Sequence, residues 1–448
     1  MTSTFVVKKT SLLAFAIVSL FVGMHHPLHG QAMEERNITL VEAVHLVTTQ
    51  NPNVQIGLID AALAREDQRR ALSALLPQVS VGMNERLQRI NVETLIGTRS
   101  GFPQHEGPFQ AVNVGTSFSV PLFNAANWQH YRAQGANRSA AVADANSVRE
   151  QIVTLTVTQY LLCVRLAATV NAAESQAALA DRLFQQASHQ ESAGAGTGLD
   201  TLRAEQRLKV QQQALIVARE DSETALFGLV RLLSLPPSTN VVLIDQDAFA
   251  NKKVFAPEEA SLEAAYAQRP EMIAVNDRLR AAHLEGSGAR GERLPTLWIN
   301  GSWSEEGKQP GNAIPVYQYQ ASLSIPVFTG GRIRSEIASS TLRINRLERE
   351  KSELQNQIAL EVKTASARLK AALEEVLVAD AGLNLAQQEV TQAQDRFQSG
   401  VGDNVEVVTA QDILARAYDG QIAALYKENQ ARANLARALG HIEETYRK

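Results

Sequence analysis

The stretch SFSVPLF, residues 117–123, returns as SLSIPVF at residues 322–328, 205 positions later. In each copy small polar residues alternate with apolar ones up to a proline, Pro121 or Pro326, and a long segment rich in Ala, Gln, Arg and Glu follows. The period of two before the proline belongs to a strand, and the pattern after it to a helix. Proline has no N–H for a strand ladder, and its fixed φ suits a first helical turn. Pro121 and Pro326 are therefore expected to end a strand and begin a helix. A phrase repeated with its surroundings signals a repeated architectural unit.

Outward from these two joints, the copies match element by element. ITLVEAVHLVTTQNPNVQ and ASLEAAYAQRPEMIAVN each offer an N-cap (Thr39, Ser261), a short amphipathic helix, and a proline (Pro52, Pro270) that restarts the chain as a second helix. At Pro77 and Pro295 the period switches from helix to strand. Strands are expected at about 77–90 and 109–121, and again at about 295–305 and 316–327. Each is about the length that crosses a bilayer at a tilt. One face is polar: Asn113, Ser117 and Ser119 alternate with Val114, Phe118 and Val120, as Gln318, Gln320 and Ser322 do with Tyr317, Tyr319 and Leu323. An ordinary half-buried antiparallel sheet would show the same alternation.

Proline-free segments follow, at about 124–190 and 331–398. As single helices they would be about 100 Å long and would need other long helices to pack on. They turn back at GAGTGLDTLRAEQRL (194–208) and SGVGDNVEVVTAQDIL (399–414). Thr197-x-x-Asp200 and Asp403-x-x-Glu406 both read as capping boxes, 206 positions apart. The return helices run at about 198–233 and 404–439. Phe184 stands 15 residues before Leu199 and Phe397 only eight before Val405, which predicts a two-turn extension near the first tip. The repeats are thus 33–233 and 259–441, joined by a linker at 234–258 and followed by a tail at 442–448.

At the N-terminus, Lys8 and Lys9 precede an apolar run from Ser11 to Met24 and a Gly30-Gln31-Ala32 triplet. This is the pattern of a signal peptide, expected over residues 1–32, so the mature chain is exported. No cysteine follows that run, and a lipid anchor there is not expected. No later run of about 20 apolar residues occurs, so entry into a membrane would have to be as β-structure. The net charge of −4 argues against a nucleic-acid partner, and the single cysteine, Cys163, excludes an internal disulfide.

Four strands cannot close a barrel, and an open edge in lipid costs several kcal/mol per unpaired backbone group. If the strands are membranous the chain must oligomerise, and three chains would supply twelve. The long helices would continue the tube, with the polar faces lining a water-filled bore.

These features resemble the TolC-like outer-membrane efflux protein family over about residues 38–441. The resemblance rests on Val120-Pro121-Leu122-Phe123 and Ile325-Pro326-Val327-Phe328, on the Leu-Pro pairs before the strands, and on the Gly-x-x-[Leu/Val]-[Asp/Glu] turns. It implies a mixed α/β membrane protein made of a duplicated helix-helix-strand-strand-long helix-return helix unit. Three copies would form a 12-strand β-barrel in the outer membrane of a Gram-negative bacterium, continued by a long α-helical barrel in the periplasm. It also implies a passive exit duct for a tripartite efflux pump or a type I secretion system. The partners would be a periplasmic adaptor (membrane fusion) protein and an inner-membrane pump of RND or ABC type.

Carried over by position, the adaptor-docking tips are Gly196, Thr197, Gly198 and Leu199 with Gly402, Asp403, Asn404 and Val405. The pore-constriction candidates are Glu406, Asp403 and Asp200, and Thr409 stands where some members carry a further acidic residue. Pro121, Phe123, Pro326 and Phe328 would be the barrel-to-tunnel joints, at the membrane's inner rim. The linker 234–258 and the residues after 440 would form an equatorial belt.

Other readings lack support in the residues. Gly194-Ala-Gly-Thr-Gly198 follows a helix and lacks the lysine of a phosphate loop. His45, His105, His130, His189, His283 and His441 show no metal-ligand spacing, so no metal or cofactor is expected. Glu305-Glu306 lies in a polar loop, and no nucleophile stands with a base, so the chain does not read as an enzyme. The alternative of another class is a periplasmic coiled-coil adaptor or scaffold that never enters the membrane.

Overall fold

The computed structural model describes residues 35–97, 101, 103–194, 196–244, 261–308, 310–399, 401–402 and 404–447. The expected signal peptide and most of the linker lie outside them. In the first copy the order is β1 (Glu35–Ile38), α1 (Leu40–Gln50), α2 (Pro52–Ser73), β2 (Gln78–Asn91), α3 (Glu93–Ile96), β3 (His105–Phe123), α4 (Ala125–Ser192), α5 (Gly198–Leu232) and β4 (Asn240–Leu243). The second has α6 (Leu262–Gln268), α7 (Pro270–Gly291), β5 (Thr296–Gly307), β6 (Ile314–Ser324), α8 (Arg332–Gln398), α9 (Asn404–Leu439) and α10 (Ile442–Arg447).

Local chemistry sets these starts. Thr39 Oγ1 accepts from Glu42 N–H, and Ser261 Oγ from Ala264 N–H. Pro52 and Pro270 occupy first-turn positions of α2 and α7, where a missing N–H leaves no hydrogen bond unmade.

β2, β3, β5 and β6 form one antiparallel sheet in that order, leaving β2 and β6 as edges. Register puts Gln78, Ser119, Asn300 and Gln320 on one rung, and Ser80, Ser117, Ser302 and Gln318 on the next. Alternate rungs carry Val79 opposite Phe118, Val81 opposite Thr116, and Trp303 opposite Tyr317. The sheet therefore has one polar and one apolar face.

The two joints differ, which corrects the expectation that both prolines end a strand and start a helix. β3 continues through Pro121 to Phe123, pairing with β5 across a bulge between Pro121 and Phe123. The last β2 partner on its other side is Gln78 opposite Ser119, so a missing N–H is tolerated there. Asn124, not Pro121, caps α4, its side chain accepting from Asn127 N–H. In the second copy β6 stops at Ser324, before Pro326, and Gly330 and Gly331 turn the chain at φ of 60° and 87° into α8 at Arg332.

α4 and α8 are 68 and 67 residues long, and α5 and α9 are 35 and 36. Such helices are about 100 Å and about 50 Å long. The expected two-turn extension near the first tip is absent. Phe184 and Phe397 are not counterparts: at the 206-residue spacing Phe184 corresponds to Val390, which packs with Ala393, Val407 and Ala410. α4 lies against α2, α5 and α7, while α8 lies against α7 and α9. Small residues such as Ala133, Ala136, Ala140 and Ala143 fill the α4 contacts and let the helices approach closely.

The largest core lies partway along α4. Val153, Val157, Tyr160 and Leu161 pack there with α1, the end of α5 and Ile442 of α10. The most apolar stretch of α4, 152–164, is this section, which explains why the helix is apolar enough by composition to be a membrane span. β1 and β4 pair in parallel beside it, Ile38 opposite Leu243, and the Tyr160 hydroxyl donates to Ile38 O at 3.1 Å. These two strands and α10 were not expected from sequence. Each strand has four residues, too few to show a period, and α10 has six.

Candidate functional sites at the helical tips and the strands

The α4–α5 turn is built by its own backbone. Gly194 takes a left-handed φ of 70°, and Gly196 N–H donates to Gln190 O at 3.0 Å. A Cβ on Gly196 would lie 3.2 Å from Gln190 Cβ, so the close crossing favours glycine. Thr197 then caps α5: Asp200 N–H donates to Thr197 Oγ1 at 3.3 Å, and Thr197 N–H to Asp200 Oδ2 at 3.3 Å. The Asp200 carboxylate is thus engaged in its own helix cap, with Arg203 3.9 Å away. Leu199 and Leu202 are exposed beside it.

The α8–α9 turn is tied to Arg396, whose carbonyl accepts from Val401 N–H at 3.0 Å and Gly402 N–H at 2.9 Å. The Glu406 carboxylate meets the Arg396 side chain at 3.2 Å, inside its own hairpin. Thr409 spends its hydroxyl on Val405 O at 2.8 Å. Asp403 and the Asn404 side chain lie outside the described residues. Val401 and Val405 are exposed, so each tip presents two apolar side chains within a polar setting.

One pair near the tips was missed from sequence: Arg207 of α5 contacts Asp412 of α9, joining the two hairpins. The signal was available, because opposite charges stand at nearly the same depth from each turn. Along the remaining length, Arg219–Glu174 at 2.7 Å and Lys427–Glu375 at 2.5 Å hold each hairpin together.

On the sheet, Val79, Val81, Met83, Leu87, Tyr317, Tyr319 and Leu323 are all exposed, Val81 at 77%. So broad an apolar face requires a non-aqueous neighbour. The opposite face is hydroxyl and amide. Ser80 and Ser117 hydrogen-bond at 2.8 Å, and Ser119 donates to Asn300 Oδ1 at 2.8 Å. These residues line a concave pocket of about 500 Å³ with Ser302, Gln318 and Gln320. The joints are apolar and open: Val327 and Phe328 are 93% and 89% exposed, and Leu122 and Phe123 about half so. Trp303 is exposed on the apolar face, and Trp128 stands beside Tyr131 below it.

Among the described residues no group of three or more His, Cys, Asp or Glu is placed to hold a metal ion. Cys163 is buried, and burial pushes its thiol up to about 12, far from reactive.

Comparison with known proteins agrees with this geometry. The model of the outer membrane efflux protein family matches residues 43–234 and 261–441, one segment in each repeat. The alkaline protease secretion protein AprF of Pseudomonas aeruginosa is 22% identical over 413 residues, covering 90% of this chain and 85% of that protein. The pyoverdine export outer membrane protein OpmQ of the same species is 22% identical over 400 residues, covering 85% and 82%. Among solved structures, the outer-membrane channel OprN superposes with a TM-score of 0.76 at 17% identity, covering 90% of each chain. VceC of Vibrio cholerae superposes at 0.75 and 16% identity, covering 90% and 96%. The fold is that of these outer-membrane channels. The chain belongs to the outer membrane efflux protein family and is a channel protein of the Gram-negative outer membrane.

Proposed function

We propose that three copies of this chain close a 12-strand barrel, continued by their α-helices into a periplasmic tunnel. The assembly would act as a passive exit duct. The observation that carries this reading is the four-stranded sheet, apolar on one face, polar on the other and unpaired at both edges. Pairing β2 of one copy with β6 of the next removes every edge from lipid, and only closure achieves that. The exposed apolar face argues against a scaffold that stays in the periplasm.

The tips are the docking surface for a periplasmic adaptor. Gly196, Thr197, Gly198 and Leu199 make this surface on one hairpin and Gly402, Asp403, Asn404 and Val405 on the other, and Leu202 and Val401 are exposed nearby. Glu406, with Asp403 and Asp200, narrows the entrance. Pro121, Phe123, Pro326 and Phe328 sit at the inner membrane–water boundary. Energy comes from an inner-membrane pump of RND or ABC type. Cargo is a small molecule or a secreted protein; the relatives named for protease secretion and pyoverdine export span that range.

Conductance in planar bilayers tests the duct. Purified, detergent-extracted protein should insert and give discrete steps, and an assembled species that never conducts contradicts it.

A further inference from the structure

Away from the tips and strands, four helices and the C-terminal segment meet in a half-buried ionic junction at the root of α9. Arg437 of α9 reaches Glu150 of α4 at 3.4 Å and, more closely, Glu271 in the first turn of α7. Arg269, the residue before α7, has a side chain only 5% exposed and lies between Glu271, at 3.4 Å, and Glu361 of α8. Arg149, next to Glu150 on α4, holds Glu443 of α10 at 2.5 Å. Ser147 Oγ donates to Glu271 at 2.9 Å, and Gln357 to Glu361 at 3.0 Å.

The pairing is unequal. Glu271 has two guanidiniums, Glu361 has Arg269, and Glu443 has Arg149 plus Arg447 on its exposed side. Among the described residues Glu150 has only its share of Arg437 as an ion-pair partner, at the longer distance. It lines a groove of about 620 Å³ with Arg149, Glu443, Arg138 and Asp277, which gives water, and so protons, access to it.

We propose that this junction is a proton-operated clamp: with Glu150 protonated, the root of α9 seats against α4 and α7 as seen here, and loss of that proton loosens the seat. Seated, Glu150 faces Arg437 from α9, Glu271 and Arg269 from the start of α7, Glu443 from α10, and Arg149 on its own helix. Burial is the main influence on it; Arg437 and, less strongly, Arg269 oppose it, while Glu271 and Glu443 add to it. Together they hold its carboxyl up at about 7. A loosened, hydrated Glu150 returns toward the ordinary 4.5. The seated form therefore binds the proton more tightly. The contribution of Glu150 is full below about 4.5 and lost as pH rises through 7. Glu271 has the opposite sign: burial pushes it up, but Arg437 and Arg269 hold it down at about 2, so it stays ionised throughout that window.

The root of α9 is one end of a 36-residue helix whose other end carries Glu406. A looser root frees the tip to move, a consequence that rests on the duct reading. Hydrogen exchange on the assembled, full-length protein in detergent tests the clamp itself. Peptides covering 428–439 and 146–156 are followed between pH 5 and 7.5, corrected for intrinsic exchange rates. The wild type should exchange faster as pH rises, by up to about tenfold per unit until the effect levels off near 7. E150Q should stay slow at every pH. A flat wild-type profile, or a pH dependence that survives in E150Q, overturns the proposal. If E150Q does not assemble, the wild-type profile alone decides. Absence of conductance would strike the duct reading and leave the exchange result standing.

Discussion

Gly402 donates its N–H to Arg396 O and sits so close to the outgoing helix that a Cβ would lie 3.0 Å from Arg396 Cβ. Gly402→Pro removes that donor and forces the turn apart. Cross-linking to an adaptor should be abolished while the assembled oligomer persists, and normal cross-linking would take this tip out of the docking surface. Glu406 makes a different prediction. If the acidic tips hold the entrance narrow, Asp403→Ala with Glu406→Ala should raise single-channel conductance, and an unchanged step would remove these residues from the constriction. At the first tip Thr197→Ala deletes a cap worth about 1 kcal/mol. Amides over 198–202 should then exchange faster, and unaltered exchange would mean that the cap does not hold the turn. The capping box was legible in sequence because its residues are neighbours. The Arg396–Glu406 contact depends on how two helices cross, which no local pattern states, and the matched depths of Arg207 and Asp412 point to a contact only once the two hairpins are known to lie side by side.

Strands carry the membrane argument through alternation. Val81 and Ser80 are adjacent on β2 but face opposite sides. Val81→Lys puts a charge toward lipid, at a cost of about 2–4 kcal/mol near the bilayer midplane. It should deplete the assembled species in the outer-membrane fraction, whereas Ser80→Lys should be tolerated. The reverse ranking would exchange the lipid and lumen faces. The strands, the long helices and their turns could be read from sequence because each extends over several periods. The joints were read less well. Pro121 and Pro326 occupy the same phrase, yet strand pairing continues past one and stops before the other. The difference is one of register along β5: Pro121 falls opposite Trp298, inside β5, whereas Ser324 already meets Thr296, its first residue, so no β5 residue remains to pair with Pro326. β1 and β4 were invisible for a related reason. Their four-residue lengths mean little until Tyr160 and the α1 core hold them together.

For the whole molecule, duplication explains why one chain carries two hairpins, two joints and two strand pairs. The nearly equal helix lengths, 68 and 67 residues, match the two hairpins to each other, as the proposed docking of both tips on one adaptor needs. The unpaired edges of the sheet then make assembly obligatory in a membrane. This is the central claim, and stoichiometry tests it most directly. The full-length gene product is extracted from the outer-membrane fraction in detergent, and its protein mass is measured by light scattering corrected for bound detergent. Three chains per particle are predicted, each at or below the 48.8 kDa of the full sequence. A single chain per particle, or recovery as a soluble periplasmic protein, would contradict the account.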